Sequence, residues 1–277
     1  MFFTSSLFCV IILLIRYFDG YSKNKPMVNV AKKLTLESMR AEIKHRRRVR
    51  HLTRFWHLIL PRHRLRQVVR HGIIWNLPFY GMYGSIIKKG CWEQSSVEYF
   101  FTESRRRDCD IFLDIGANIG YYSMLAAKMR AFDEIHAIEP VSDNARQLRW
   151  HISANKFDDI VVGYETALSD RTGEIYMRDG ICNNEGGEKD NTVPCSTLDT
   201  MFDVSGRRLA IKIDVDGHEI PALSGGERLL SRNHVFMQAE VMPTNTVLVD
   251  YLLAAGFSML WYQDENFYFE RAQKSDS

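Results

Sequence analysis

The alternation of apolar runs with helix-length segments, which starts at Asp110, constrains the fold of this chain more than any other feature. Five runs have the character of buried strands, namely DIFLDIG (110–116), EIHAIEP (134–140), DIVVGYETAL (159–168), RLAIKID (208–214) and HVFMQAEV (234–241). Strands that alternate with helices form a parallel sheet that is wound on both faces. The sequence therefore predicts an α/β protein with a doubly wound, mostly parallel sheet, which binds ligands at the carboxyl ends of its strands.

The remaining segments of this region have their own patterns. Residues 218–231 predict a helix that is interrupted near Gly225 and Gly226, and Thr197 is a natural cap for a helix that starts beside Asp199. Residues 170–194 are polar and contain glycine, so we expect an excursion from the alternation there. The runs FSMLWY (257–262) and NFYFER (266–271) predict a hairpin at the end of the chain.

The first part of the chain differs from the rest in charge. Residues 1–110 contain 21 Lys and Arg against 8 Asp and Glu, a net charge of +13, whereas residues 111–277 carry −11. We therefore divide the chain into an apolar segment (1–18), a basic helical extension (19–90) and a domain of the α/β class (91–277). Two helices that break at Pro61 are expected in the extension.

The role of this front end has several interpretations. The apolar core Leu7–Ile15 is nine residues long, and a membrane-spanning helix needs ~20 apolar residues. It is a short membrane anchor, a docked helix, or a stretch that a start at Met27 or Met39 would remove. The basic stretch is expected to pack on the main domain, with association of residues 1–71 with an anionic membrane surface as the alternative. It lacks a nucleic-acid-binding signature, so nucleic acid is not an expected partner.

The cysteines indicate the compartment. The five cysteines are widely scattered and form no C-x-x-C motif. This usage is typical of reduced thiols in a cytoplasmic enzyme and argues against a disulfide scaffold or a zinc ribbon.

The loop after the first strand of the α/β region indicates the class of cofactor. From Asp114 to Gly120 it reads Asp-Ile-Gly-Ala-Asn-Ile-Gly, which lacks the G-x-G-x-x-G of dinucleotide-binding loops and counts against a nucleotide-dependent oxidoreductase. Its glycines are expected to let the backbone approach a ligand closely. Asp114 suits a cationic group such as an ammonium, and Glu139, at the end of the next strand, can accept both hydroxyls of a ribose. These features predict an S-adenosylmethionine site with the residues Asp114, Gly116, Ala117, Asn118, Gly120 and Glu139.

Several motifs, in order, resemble those of the FkbM-type methyltransferases. They are FLDIGANIGYYSMLAA (112–127), IHAIEP (135–140), TALSD (166–170), STLDTM (196–201), IKIDVDGHEIPALSGGERLL (211–230) and QAEV (238–241). The resemblance implies the class I methyltransferase fold, a Rossmann-like seven-stranded sheet whose last strand is antiparallel. It also implies methyl transfer to a hydroxyl oxygen of a sugar, a glycolipid or another small molecule, and it adds Ala167 to the cofactor-binding residues. Asp216 departs from the family pattern, in which glutamate is more frequent.

Methylation of a hydroxyl needs groups that position the acceptor oxygen and take its proton. Strand alternation places Lys212 and Asp214 on one face, so Asp214 is predicted to position the acceptor and Lys212 to pair with Asp214 or bind the acceptor. His218 has an ordinary pKa that suits a base near neutrality, and a solvent-facing helix residue is the alternative. Asp216 and Glu240 are predicted to contact the acceptor. These acids are expected to form salt bridges or hydrogen bonds, and no metal site is predicted.

The sequence thus predicts an S-adenosylmethionine-dependent methyltransferase, with an O-methyltransferase as the leading hypothesis. The acceptor is expected to be a small molecule, a glycan or a lipid. Two alternatives stay open, an RNA methyltransferase, which only the basic extension favours, and a non-catalytic membrane-associated module built on a methyltransferase fold.

Overall fold

The computed structural model describes residues 65–78, 81–178, 181–183, 192–241 and 246–273. These residues belong to two units, which divide after Gln94. The predicted apolar segment and the part of the basic extension before residue 65 lie outside the described residues, so the membrane anchor and the surface association stay predictions. Within the residues described, none of the helices has the length and the apolar character that crossing a membrane requires.

The first unit contains an antiparallel hairpin and a short helix. The predicted helical extension is therefore wrong for residues 66–77. His71 and Gly72 both have positive φ angles, 55° and 68°, and two such residues form the tight turn that matches the twist of paired strands. Alternate residues of the second strand are buried, which is the strand period. The elements are β1 (Arg66–Arg70), β2 (Ile73–Leu77) and α1 (Gly81–Lys89).

The second unit carries the α/β fold. Its helices are α2 (Gln94–Arg106), which begins at the boundary, α3 (Tyr121–Met129), α4 (Ser142–Asn155), α5 (Leu198–Met201), α6 (Glu219–Ser224), α7 (Glu227–Arg232) and α8 (Val247–Ala254). Its strands are β3 (Ile111–Ile115), β4 (Glu134–Ile138), β5 (Val161–Tyr164), β6 (Ala167–Leu168), β7 (Gly173–Arg178), β8 (Ile181–Asn183), β9 (Thr192–Ser196), β10 (Arg208–Ile213), β11 (His234–Glu240), β12 (Ser258–Gln263) and β13 (Asn266–Arg271).

Seven of these strands form one sheet in the order β12-β13-β11-β10-β3-β4-β5. The strands β11, β10, β3, β4 and β5 are parallel, and β13 is antiparallel to both of its neighbours. Every residue of β3 is buried, and so are most residues of β10 and β11, as expected for strands covered on both faces. The predicted α/β fold, its sheet of seven strands and its terminal hairpin are confirmed.

A second, four-stranded sheet lies between β5 and α5 in the chain and was not predicted. Its order is β6-β9-β7-β8, and β6 and β9 are parallel. The predicted polar excursion at residues 170–194 therefore contains strands. Its small apolar cluster consists of Ala167, Ile175 and Cys195, with Val193 packed against it. So few apolar residues give a weak alternation pattern, which explains why the sheet was missed.

The helix α5 is capped as predicted, and its Asp199 in addition caps α7, which was not predicted. The hydroxyl of Thr197 accepts a hydrogen bond from the backbone N–H of Thr200 (3.0 Å) at the start of α5. The carboxylate of Asp199 accepts hydrogen bonds from the backbone N–H groups of Arg228 (3.0 Å) and Leu229 (2.7 Å) in α7. Because these bonds satisfy free donors in the first turn of each helix, Thr197 and Asp199 have structural roles.

Candidate functional site

The loop between β3 and α3 lies at the carboxyl edge of the main sheet. Gly116 and Gly120 have φ angles of 74° and 84°. A Cβ atom at Gly116 would overlap the carbonyl oxygen of Asp214, and one at Gly120 would overlap the side chain of Leu148. The predicted reason for these glycines, room for a ligand, is thus corrected. Both positions need glycine because the loop has left-handed backbone angles and packs closely against the protein itself.

Asp114 lies buried beneath this loop, with 1% of its surface exposed. Its Oδ2 accepts hydrogen bonds from the backbone N–H (3.1 Å) and the hydroxyl (2.5 Å) of Ser123 in α3. Burial raises the pKa of Asp114, and the charge of Lys212 and the bonds from Ser123 oppose this rise. Among the described residues, the hydrogen bonds to this carboxylate all go to Oδ2.

Glu139, which follows β4, is joined directly to the loop. Its Oε2 accepts a hydrogen bond from the backbone N–H of Asn118 (2.8 Å), and its Oε1 accepts from the N–H of Val141 (2.9 Å) and the amide of Asn144 (3.3 Å). Burial raises the pKa of Glu139, whereas these hydrogen bonds lower it. Asn118 and Glu139, which were both predicted to bind the cofactor, therefore lie together at the edge of the sheet.

Lys212 and Asp214 form an ion pair at the end of β10, with 3.1 Å between Nζ and Oδ2. The prediction that they share a face is confirmed. Burial alone would lower the pKa of Lys212, but the carboxylates of Asp214 and Asp114 outweigh it and raise the pKa. The side chain of Asp214 is 39% exposed and that of Lys212 only 9%, so the carboxylate is the part of the pair that a ligand can reach.

Glu240 lies opposite Asp214 on the neighbouring strand, since the parallel register pairs Ile213 with Ala239 one residue earlier. A hydrogen bond joins the two carboxyl groups. Burial, this hydrogen bond and the negative charge of Asp214 raise the pKa of Glu240. Burial would also raise the pKa of Asp214, but Lys212 and the hydrogen bonds lower it. At neutral pH, Glu240 therefore holds the shared proton and Asp214 is ionised.

This proton predicts how the stability of a Glu240→Gln variant changes with pH. The folded wild type keeps a proton that the unfolded chain loses above the ordinary pKa of glutamate, so its stability falls as the pH rises through this window. The glutamine amide also donates a hydrogen bond to Asp214 but does not titrate. The unfolding free energy of the variant, relative to that of the wild type, should therefore increase as the pH rises above about 5. The increase should be at most about 1.4 kcal/mol per pH unit. Denaturant titrations at several pH values measure this shift. A difference that stays constant with pH, or the same shift in the exposed control Glu174→Gln, would contradict it.

His218 lies in a different place from its predicted one. Its side chain is buried, and Nε2 lies 3.2 Å from the hydroxyl of Ser169, which also donates a hydrogen bond to Asp170 (3.1 Å). The alternative of a solvent-facing helix residue is therefore wrong. Burial lowers the pKa of His218. Within the described part of the chain, no hydrogen bond joins His218 to Asp214, and its role as the base stays a prediction.

The remaining predicted residues differ in exposure. Asp216 is exposed and has a φ of 52°, a left-handed conformation that aspartate adopts more readily than most residues. The left-handed backbone therefore explains why position 216 has aspartate and not the glutamate that is more frequent in the family. Ala117 and Ala167 are buried, so a ligand can reach them mainly through their backbone. No group of three or more His, Cys, Asp or Glu side chains within the described ranges could hold a metal ion.

The sequence analysis missed three residues that support this site, namely Ser123, Gln238 and Tyr122. Ser123 holds Asp114, as described above. Gln238 lies beside Lys212 in the register of β10 and β11, and its amide donates hydrogen bonds to the hydroxyl of Tyr122 (3.1 Å) and to Asn266 (2.7 Å). The Lys212 ammonium lies 5.4 Å from the centre of the Tyr122 ring. A glutamine inside an otherwise apolar strand was the signal that could have identified this network.

A family model matches the part of the chain that contains this site. Residues 114–259 match the sequence model of the methyltransferase FkbM domain. This range contains the loop after β3 and the end of β10, which carries the ion pair of Lys212 and Asp214. Among proteins with curated descriptions, none is significantly similar to the chain in sequence.

Solved structures with a similar arrangement include several methyltransferases. The methyltransferase FkbM from Methylobacillus flagellatus KT is 17% identical, with a TM-score of 0.45, and the match covers 64% of this chain and 53% of that one. The chain thus matches about half the length of that protein. A precorrin-6y C5,15-methyltransferase from Geobacter metallireducens GS-15 is 18% identical (TM-score 0.41, 68% and 92% covered). TYW2 from M. jannaschii, in complex with AdoMet, is 13% identical (TM-score 0.40, 76% and 86% covered).

Proposed function

Because the chain belongs to the FkbM methyltransferase family, we propose that it transfers a methyl group from S-adenosylmethionine to a hydroxyl oxygen. The acceptor is a sugar, a glycolipid or another small molecule. The observation that carries this proposal is the cluster of Lys212, Asp214 and Glu240, which lies beside the loop after β3 and keeps an ionised carboxylate accessible.

The two acidic residues near the loop fit this cofactor. The Asp114 carboxylate, which Ser123 holds beneath the loop, would attract the ammonium of the methionine moiety. Each oxygen of a carboxylate can accept about two hydrogen bonds. On Glu139, Oε2 has one donor and Oε1 has two. One ribose hydroxyl can therefore bind Oε2 directly, and the second can bind Oε1 once the side chain of Asn144 turns away.

Asp214 is the group that we assign to the acceptor. When bound, the cofactor supplies an electrophilic methyl group on its sulfonium. The acceptor hydroxyl donates a hydrogen bond to the Asp214 carboxylate, which fixes the direction of its lone pair. A hydroxyl becomes strongly acidic as its oxygen gains a bond to carbon, so a carboxylate of low pKa is a sufficient acceptor for its proton.

Lys212 and Glu240 hold Asp214 in this role. The buried ammonium of Lys212 keeps the carboxylate ionised and binds Oδ2. The protonated Glu240 donates a second hydrogen bond from the neighbouring strand. Both partners extend from strands within the sheet, so they fix the orientation of the Asp214 carboxylate before the acceptor binds. Binding of the acceptor then needs no further ordering of this side chain.

Radioactive methyl transfer tests the proposed function. The purified protein is incubated with labelled S-adenosylmethionine and, separately, with carbohydrate, lipid and total RNA extracts of the source cells. We expect label in the carbohydrate or lipid extract. Addition of an excess of the demethylated product of the cofactor should abolish this labelling. Label in RNA alone would replace this proposal with the RNA methyltransferase, and no label in any extract, with cofactor binding intact, would favour the non-catalytic module.

A Glu139→Gln variant is expected to bind S-adenosylmethionine at least tenfold more weakly than the wild type. The amide keeps the shape of the side chain but presents one acceptor oxygen in place of two, and hydrogen bonds to a charged group contribute roughly 1.5–3 kcal/mol. Isothermal titration measures the affinity. Glu174→Gln, an exposed glutamate of β7, is the control and should bind as the wild type does. Equal affinities for both variants would remove Glu139 from the cofactor site.

A further inference from the structure

The strand β12 stands at one edge of the main sheet and exposes three large apolar side chains. It pairs with β13 on one side, and within the described residues no other strand or backbone group bonds to its outer side. Met259, Leu260 and Trp261 are 44%, 39% and 39% exposed. The outer side of β12 therefore presents unpaired backbone donors and acceptors next to apolar surface, and such an edge is a template for pairing with another chain.

Most of the features that protect an edge strand from pairing are absent from β12. Natural edge strands are protected by charged side chains, by proline or by a bulge. The sequence of β12, SMLWYQ, contains neither a charged residue nor proline. Its one protection is a bulge at Leu260, which has no opposite residue on β13.

The apolar surface of β12 is held in place by its neighbours. The Trp261 ring packs against Tyr99 of α2, with 4.3 Å between the ring centres, and against Tyr268 of β13, with 5.6 Å. The helix α8, which contacts β12, adds the exposed side chain of Leu253. Because two rings already fix Trp261, a partner that covers it has little side-chain ordering to impose.

These features favour a protein strand over a lipid surface as the partner. In a lipid surface, the unpaired N–H and C=O groups of the edge would lose water without gaining new partners. Asp264 directly follows β12 and Asp250 precedes Leu253 in α8, and both are exposed, so an anionic membrane would repel this surface. A strand of another chain satisfies the edge groups and covers the apolar side chains together.

Charge favours a second copy of the chain in the antiparallel direction. Because β12 carries no charge, two copies of it can meet without repulsion. A parallel arrangement would bring together the two acidic turns, which contain Asp264 and Glu265. In the antiparallel arrangement, each acidic turn lies near the start of the other β12, where Arg107 of α2 bonds to Glu270 opposite Ser258. This arrangement has the two-fold symmetry of the commonest protein dimers.

We propose that a second copy of this chain pairs with β12 in the antiparallel direction, across a two-fold axis near Leu260. Ser258 then lies opposite Gln263 of the second copy, and the apolar residues 259–261 of both copies cover one another. The two sheets of seven strands continue through the interface as one sheet. Since the strands of the two copies run in opposite directions, the two loops after β3 lie at opposite edges of this sheet.

Sedimentation velocity measurements on the full chain test this proposal. One chain has a mass of 32.2 kDa, and the wild type should sediment as two chains at micromolar concentration. Leu260→Lys and Leu260→Glu should each weaken the dimer at least about tenfold, because like charges then face each other near the axis. An equimolar mixture of the two variants should recover the dimer, which a misfolded variant could not do.

Val162→Lys is the matched control, because it places the same charge on an exposed apolar residue of β5, the other edge strand of the sheet. It should dimerise as the wild type does. Both Leu260 variants should bind S-adenosylmethionine with wild-type affinity, so a failure of this proposal does not affect the proposed methyl transfer.

Four results would overturn the proposed dimer. They are a wild type that sediments as a single chain, an undiminished dimer in both Leu260 variants, a mixture of these variants that stays monomeric, and loss of the dimer in Val162→Lys. Flotation of the wild type with phosphatidylcholine vesicles, together with its loss in Leu260→Lys, would assign the surface to lipid instead.

Discussion

An Asp214→Asn variant should transfer methyl groups at least about 100-fold more slowly than the wild type and bind S-adenosylmethionine with nearly unchanged affinity. The substitution keeps the size of the side chain and removes the only group of the cluster that is both ionised and accessible. Loss of a positioned proton acceptor commonly costs 10²–10⁴-fold in rate. The initial rate of label transfer to the extract that the wild type modifies measures this effect.

The control for this variant is Asp203→Asn, which changes an exposed aspartate between α5 and β10. It should retain the wild-type rate. His218→Gln provides the decisive comparison, because glutamine can still bond the hydroxyl of Ser169 but cannot act as a base. A large loss of kcat in His218→Gln, together with a small one in Asp214→Asn, would return the role of base to His218.

The arrangement of Lys212 and Asp214 was predictable because it depends on one strand. Side chains two residues apart on a strand share a face, and the apolar run around them identifies β10 as a strand. The position of His218 depends instead on the turn that follows. The sequence places it next to Asp214 in the chain, whereas the turn directs its ring towards Ser169, 49 residues earlier. Proximity in the chain was a poor guide there.

The proton shared by Asp214 and Glu240 could not be predicted from either strand alone. It requires that β10 and β11 be parallel, that their register places the two carboxyl groups opposite each other, and that Glu240 be largely withdrawn from water. The sequence identified two acids at strand ends but could not specify this register. Only the packed sheet determines which of the two carboxyl groups keeps the proton.

The hairpin at residues 66–77 was missed for a different reason. Its basic residues fit an exposed helix as well as an exposed strand, so charge did not distinguish the two. The alternation in β2 covers five residues, which is short for a periodicity argument. The pair His71 and Gly72 was the local signal for a hairpin, because a glycine preceded by a polar residue favours a tight turn.

The other large effect concerns the loop beneath the proposed cofactor site. Gly116→Ala should destabilise the folded protein by at least about 3 kcal/mol and abolish measurable binding of S-adenosylmethionine. The substitution has a conformational cost of roughly 1–2 kcal/mol, since an L-residue at a φ of 74° is strained. Its Cβ would in addition overlap the carbonyl oxygen of Asp214, so the loop or the end of β10 must move.

Gly206→Ala separates these two contributions. Gly206 has nearly the same φ, 72°, but a Cβ atom there would meet nothing within 4 Å. The control variant should therefore show the conformational cost alone, roughly 1–2 kcal/mol, and bind the cofactor normally. The difference between the two variants in urea-induced unfolding measures the overlap with Asp214. If both lost the same stability, the close approach of β3 and β10 at this edge would be absent in solution. Asp114, Lys212 and Asp214 would then lack the rigid backbone that brings them together.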